Sequence, residues 1–179
     1  MARAIDRDLI GVVASAAAGD DVAFARIVAA HHEDMRRVCV VITGSQTIAD
    51  EAVQAAWGIA WRKLGSLRDP ERLRPWLVSV AVNEARQALR KRRRLWRLES
   101  GPDAPRVPSG PDPALSASAI DLRAAIARLD PDDRALLAMR YVAGFDATEL
   151  ATATGLSPSG VRSRLERLLA RLRRELSDG

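Results

Sequence analysis

The chain has 179 residues, with 28 Lys plus Arg against 23 Asp plus Glu and a net charge of +5. Hydrophobic residues make up 47% of it but aromatic ones only 4%, so its core must come from Ala, Leu, Val and Ile, a mix that favours helices over strands. One cysteine, Cys39, excludes a disulfide framework and a cysteine-rich zinc site, and no segment approaches the ~20 apolar residues of a membrane span.

The amino terminus, MARAIDRD, is charged and is followed by no long apolar run, unlike a signal peptide. A soluble, cytoplasmic protein with no membrane insertion is expected. A short helix is predicted over residues 8–18, closed by Gly19, and a longer one over 21–43, with Phe24, Ile27, Val28, Met35, Val38 and Cys39 or Ile42 inside. Cys39 lies in an apolar run and reads as a buried thiol. His31 and His32 are adjacent, so they leave a helix on different sides, and no metal site or cofactor is predicted. Gly44 and Ser45 break the helix. A third helix spans residues 47–64 and a loop, GSLRDPER, follows at 65–72. A fourth helix runs over 73–94, with Pro75 in its first turn, where a missing N–H is tolerated.

Residues 100–118 hold five of the nine prolines, two glycines and four serines, a composition that cannot build a packed core. The chain is therefore expected to be all-α, with two small helical domains at 1–98 and 119–179 joined by a flexible linker at 99–118. Stretched like polyproline, that linker reaches ~60 Å. Helices are predicted at 119–129 and at 131–142, the latter capped by Asp130 with Pro131 behind it.

The last elements form a pair. Asp146 caps a short helix, with Glu149 three residues on as in a capping box, and Gly155 is a left-handed stop. Ser157 caps a second helix with Pro158 in its first turn, and along it Val161, Leu165, Leu168, Leu172 and Leu176 recur at core-facing spacing. The opposite face carries Arg162, Ser163, Glu166, Arg167 and Arg174. A short helix, a glycine turn and an arginine-fronted helix are the parts of a helix-turn-helix DNA reader.

Charge is concentrated in two places. Residues 1–85 hold 10 basic and 11 acidic side chains, whereas 86–97 hold seven basic and none acidic, and 157–176 hold six Arg and two Glu. Two separate basic patches on a balanced chain look like two sites for a polyanion.

The order of these pieces resembles an extracytoplasmic-function sigma factor, a small bacterial initiation factor with the second and fourth sigma regions. The resemblance rests on ADEAVQAAWGIAW, on RPWLVSVAVNEARQALRKRRR after a loop, and on GxVxSRL inside the helix-turn-helix. Asp50 and Gln54 match the family's D-x-x-x-Q, with Glu51 beside them. Trp76 and Leu77 match its W-L, and Asn83 the Asn of its A-R-N. Gly160, Val161, Ser163, Arg164 and Leu165 match G-x-V-x-S-R-L. Val82 stands where the family has Arg, and Gln87 where it has Asp.

The resemblance implies three partners and gives each its residues. Core RNA polymerase would be bound through Asp50, Glu51 and Gln54. Trp57 and Trp61 share that stripe, and Trp61 is expected in the core. The melted non-template strand of the minus-ten element would meet Arg68, Arg72, Trp76, Asn83, Arg86, Arg90 and Arg93, a cationic groove beside a flat ring. The minus-thirty-five duplex would be met by Arg162, Ser163, Arg164, Glu166 and Arg167, with Arg164, Arg171 and Arg173 on phosphates. An anti-sigma factor and a stress or signal regulon are also implied. A free-standing helix-turn-helix regulator is the alternative. No phosphate loop, Ser/His/Asp arrangement or metal cluster speaks for an enzyme.

Overall fold

Side-chain oxygens start five of the helices, and glycines end two of them. The computed structural model describes residues 2–100 and 117–177, with side chains over 10–95 and 119–177. The described residues form eight helices, two 3₁₀ turns and no strand. The helices are α1 (Ala2–Ala17), α2 (Asp21–Thr43), α3 (Gln46–Lys63), α4 (Leu73–Ser100), α5 (Ala117–Arg128), α6 (Pro131–Tyr141), α7 (Ala147–Thr154) and α8 (Pro158–Ser177). Asp20 begins α2 by accepting the N–H groups of Val22 and Ala23 at 2.9 and 3.1 Å, which satisfies donors that no helical turn can reach. Gly44 ends it at φ +68°, the left-handed region open to glycine.

The all-helical expectation holds, and α2 has the predicted bounds. α1 begins well before residue 8 and α4 continues past residue 94 to Ser100. The segment read as a plain loop contains 3₁₀ turns at Leu64–Ser66 and Pro70–Arg72. Asp69 caps the second turn by accepting from the Glu71 N–H at 3.1 Å. Most of the expected linker lies outside the described residues.

α2, α3 and α4 pack on one another, with α1 against α2 and the 3₁₀ turns. α3 contributes small residues to this core: Ala49, Ala52, Val53, Ala56 and Ala60 are buried. Without bulky side chains there, the α3 backbone can approach its neighbours closely. Larger groups come from α2 (Met35, Val38, Cys39, Ile42) and α4 (Leu73, Leu77, Val78). The indole of Trp61 does not enter this layer. It is 39% exposed, with its ring edge-on to Phe24 at 4.8 Å, the reverse of the expectation. Trp57 is the half-buried one, and its Nε1–H donates to His32 Nδ1 at 3.2 Å. The alanine face takes the space against α2 and α4, so the indoles cover the core from outside.

The second unit packs α5 against α8 and α7 against α6 and α8. Phe145 and Leu150 lie at its centre, 1% and 0% exposed. Leu176, predicted on the leucine stripe, is exposed at the end of α8. α6 also packs on α2 and α4, so the buried residues of both units join in one continuous core.

Overfilling the α3 layer tests this packing. Ala56→Leu should cost about 1–3 kcal/mol, read as a lowered urea midpoint. Ala55→Leu, on the exposed side of the same turn, should stay within about 0.5 kcal/mol of the parent.

Candidate nucleic-acid interface

The helix-turn-helix is built from local hydrogen bonds. Asp146 Oδ1 accepts from the N–H groups of Thr148 and Glu149 at 2.7 and 2.8 Å, and Glu149 Oε2 accepts from the Asp146 N–H at 2.8 Å. This is a complete capping box. α7 ends at Gly155, φ +72°, whose N–H reaches the Ala151 carbonyl. Ser157 Oγ then accepts the Gly160 N–H at 3.1 Å and starts α8. A Cβ on Gly160 would lie 3.1 Å from that same oxygen, so the glycine of GxVxSRL leaves room for the cap.

Val161, Leu165, Leu168 and Leu172 of α8 are buried, and Arg162, Ser163, Glu166 and Arg167 are exposed on other faces. Those four are free to meet a groove. Arg167 Nε donates to the Ser163 carbonyl at 3.2 Å, which aims the guanidinium along its own helix. Arg164 is placed differently from the rest. It is half-buried, and its Nε and Nη2 reach Asp133 Oδ1 of α6 at 2.7 and 2.6 Å. Burial, together with the hydrogen bond to Asp130, pushes the Asp133 carboxyl above its ordinary range, against the opposing pull of Arg164. Arg171 is paired with Glu175 at 2.8 Å.

The basic end of α4 forms the second positive surface. Arg90, Lys91, Arg92, Arg93 and Arg94 are all exposed, so their charge is available to a phosphate backbone. Asn83 is exposed on the same helix, and Trp76 is half-buried against the core. Arg68 and Arg72 are exposed in the preceding segment, Arg72 3.5 Å from Asp69. Arg86 lies apart from this group. Its Nε and Nη2 both go to Asp132 Oδ1 of α6. Val82, in place of the family's arginine, is 2% exposed and belongs to the core. Gln87 is exposed and its amide donates to Glu84 Oε1 at 2.8 Å.

A third surface lies on α3, where Asp50, Glu51 and Gln54 are exposed opposite the alanine face. α2 supplies an anchor nearby. Asp34 receives Arg37 and Arg74 at 2.5 and 3.1 Å. Partial burial raises its pKa, but these two hydrogen bonds outweigh that and hold the carboxyl below its usual range. Burial pushes the Cys39 thiol up to about 12, with Sγ 3.5 Å from the Ala81 carbonyl. Among the described residues no three His, Cys, Asp or Glu are grouped as metal ligands, and no helix is long and apolar enough to cross a membrane.

Sequence reasoning missed Asp132 and Asp133. Their partners lie 46 and 31 residues away in the chain, beyond any local pattern. One signal was present: three aspartates in four positions, where Asp130 alone suffices as the cap.

Arg164→Ala separates a structural from a reading role. At pH 7 it should cost about 1–3 kcal/mol of stability, because it leaves a charged, partly buried carboxylate without its guanidinium. Removal of Arg164 raises the Asp133 pKa further. The deficit is then full above that further raised pKa and shrinks as the pH falls from it to the parent's own Asp133 pKa, which is itself above the ordinary carboxylate range. Thermal melts from pH 7 to 3.5, with Arg167→Ala unchanged throughout, would confirm this.

Comparison with known proteins agrees with the arrangement. Residues 27–95 match the family Sigma-70 region 2, and residues 119–172 the family Sigma-70, region 4. The probable RNA polymerase sigma factor RfaY of Xanthomonas campestris pv. campestris is 33% identical over 168 residues, 90% of this chain but only 42% of that protein's length. The ECF RNA polymerase sigma factor SigM of Mycobacterium tuberculosis H37Rv is 30% identical over 168 residues, 92% of this chain and 83% of SigM. The RNA polymerase sigma factor CnrH of Cupriavidus metallidurans is 29% identical over 179 residues. Its structure in complex with the cytosolic domain of CnrY superposes with a TM-score of 0.68 at 25% identity, covering 93% of this chain and 96% of that one.

Proposed function

The chain belongs to the extracytoplasmic-function RNA polymerase sigma factors, and from that premise we propose how its surfaces share the work of starting transcription. Residues 1–98 bind core polymerase and the minus-ten element, 99–118 connect, and 119–179 bind the minus-thirty-five element. The protein works in the cytoplasm and carries out no catalysis of its own. The observation that carries this reading is the presence, on one chain, of an exposed cationic end of α4 and a separate capped reader helix, α8.

Core polymerase docks on Asp50, Glu51 and Gln54. They lie outward on a helix whose other face is locked in the core, so a partner meets a rigid surface. The melted strand follows Arg90 and Arg93 along α4, with Asn83, Trp76 and the loop arginines Arg68 and Arg72 toward the flipped base. Extracting a base costs a few kcal/mol, which contacts to the single strand offset. On α8, Arg167 and Arg162 have the donors for a guanine edge, and Glu166 can accept from a cytosine amino group. Arg173 contacts phosphate, which positions without reading sequence. CnrH was solved with a polypeptide partner, and an anti-sigma factor is the corresponding partner of this chain. Run-off transcription with purified core polymerase tests the whole reading, and no promoter-dependent product would overturn it.

Three variants probe the parts. Asp50→Ala with Gln54→Ala should weaken the titrated affinity for core polymerase while far-UV circular dichroism stays at the parent value. Unchanged affinity removes α3 from the docking surface. Arg167→Ala should cost about 1–3 kcal/mol on the best promoter and flatten preference at one upstream base pair. Arg173→Ala should weaken a panel of single-base promoter variants uniformly. A uniform loss for Arg167→Ala as well would make it a phosphate contact only.

A further inference from the structure

The segment between α3 and α4 is short and is held from outside. Its two 3₁₀ turns, Leu64–Ser66 and Pro70–Arg72, are a single turn each. The Leu67 N–H donates to the Leu64 carbonyl and the Arg72 N–H to the Asp69 carbonyl, both at 3.0 Å. Isolated turns of this kind have poor hydrogen-bond geometry and do not persist without tertiary support. Leu67 is half-buried against the core, whereas Arg68 and Asp69 beside it are exposed. The tip that carries Arg68 is therefore only as fixed as the two turns that flank it.

α1 supplies that support. It packs on both turns as well as on α2. Its end runs close to the first turn, since a Cβ on Gly65 would lie 4.0 Å from the Ala17 carbonyl oxygen. Val13 and Ala16 are buried and carry the inner face of α1 into the core that also holds Leu64 and Leu73, one on each side of the segment. Just beyond the second turn, Arg74 is tied to Asp34 of α2 at 3.1 Å. None of the contacts proposed above for polymerase or for DNA lies on α1.

We propose that α1 positions the base-receiving loop, with Val13 as the residue through which it acts, and so sets promoter selectivity without touching DNA. This rests on the reading of Arg68 and Arg72 as contacts toward the flipped base. The cations along α4 hold any single strand by its phosphates and do not distinguish bases. Discrimination needs a site whose shape is fixed by packed support, because a mobile one re-forms around the wrong base. A loop pinned through both of its turns is such a site, and α1 is what pins it. Loosening α1 therefore lowers the preference for the right base more than it lowers binding of the strand.

The test uses the full chain bound to core polymerase and fluorescent non-template oligonucleotides in which each minus-ten position carries each of the four bases in turn. Arg68→Ala and Arg72→Ala identify the loop-facing position as the one where preference flattens. At that position Val13→Ala should lower the preference by about two- to tenfold, the effect of releasing one ordered contact, and preferences elsewhere should stay parental. Val38→Ala removes the same side-chain atoms from the core of α2, beside Cys39 and the middle of α4, and should leave every preference unchanged. Affinity for core polymerase should be parental in both. In the free chain, amide hydrogen exchange over residues 64–72 should quicken in Val13→Ala and not in Val38→Ala. Parental preference at the loop-facing position in Val13→Ala would overturn the role of α1. So would a loss spread equally over all positions, or one that Val38→Ala reproduces. If neither arginine variant flattens any position, the flipped-base reading of the loop is overturned and the role of α1 falls with it, whereas flattening by the arginines with an indifferent Val13→Ala refutes the role of α1 alone.

Discussion

The burial of α6 on both its flanks is the contact on which the shape of this protein depends. A buried Leu or Met contributes about 1.5–3 kcal/mol, whereas an exposed ion pair contributes about 0–1 kcal/mol. The apolar burial of α6 against α2 and α4 therefore outweighs the Asp132–Arg86 pair in joining the units. Charge does a different task, choosing which helix faces which. Because one continuous core spans both units, opening them exposes apolar surface, and any ligand needing the open form binds more weakly by the fraction that is open.

The first unit separates packing from recognition in a simple way. α3 turns its alanines inward and its acid and amide groups outward. The small inward residues let the helix sit close to α2 and α4, which fixes the outward stripe relative to the basic end of α4. Asp34 helps by tying Arg74 at the start of α4 to α2. The two surfaces proposed for polymerase and for DNA are thus exposed on one packed frame, and neither has to contribute to the core.

Much of this was legible in the sequence because the signals are local. Asp130, Asp146, Ser157 and Gly155 announce helix ends through bonds made within a few residues, and the leucine stripe of α8 follows from its spacing. Nonlocal facts were not legible. Nothing in the pattern pairs Arg86 with Asp132 or Arg164 with Asp133, so Arg164 read as a free phosphate contact. Trp61 went astray for a related reason. A large aromatic residue is ordinarily assigned inward, but here the alanines already filled the space against α2 and α4. The 3₁₀ turns around Asp69 escaped because short turns leave little periodicity to read.

Cys39 carries a consequence of another kind. Its sulfur is the only thiol in the chain and is sealed between α2 and α4 beside the Ala81 carbonyl. Burial pushes its pKa up to about 12, so the thiol stays protonated at neutral pH. Oxidants and electrophiles act on thiolates, so the folded chain is blind to them at this position. An oxidant can therefore act on this position only after the contact between α2 and α4 has opened.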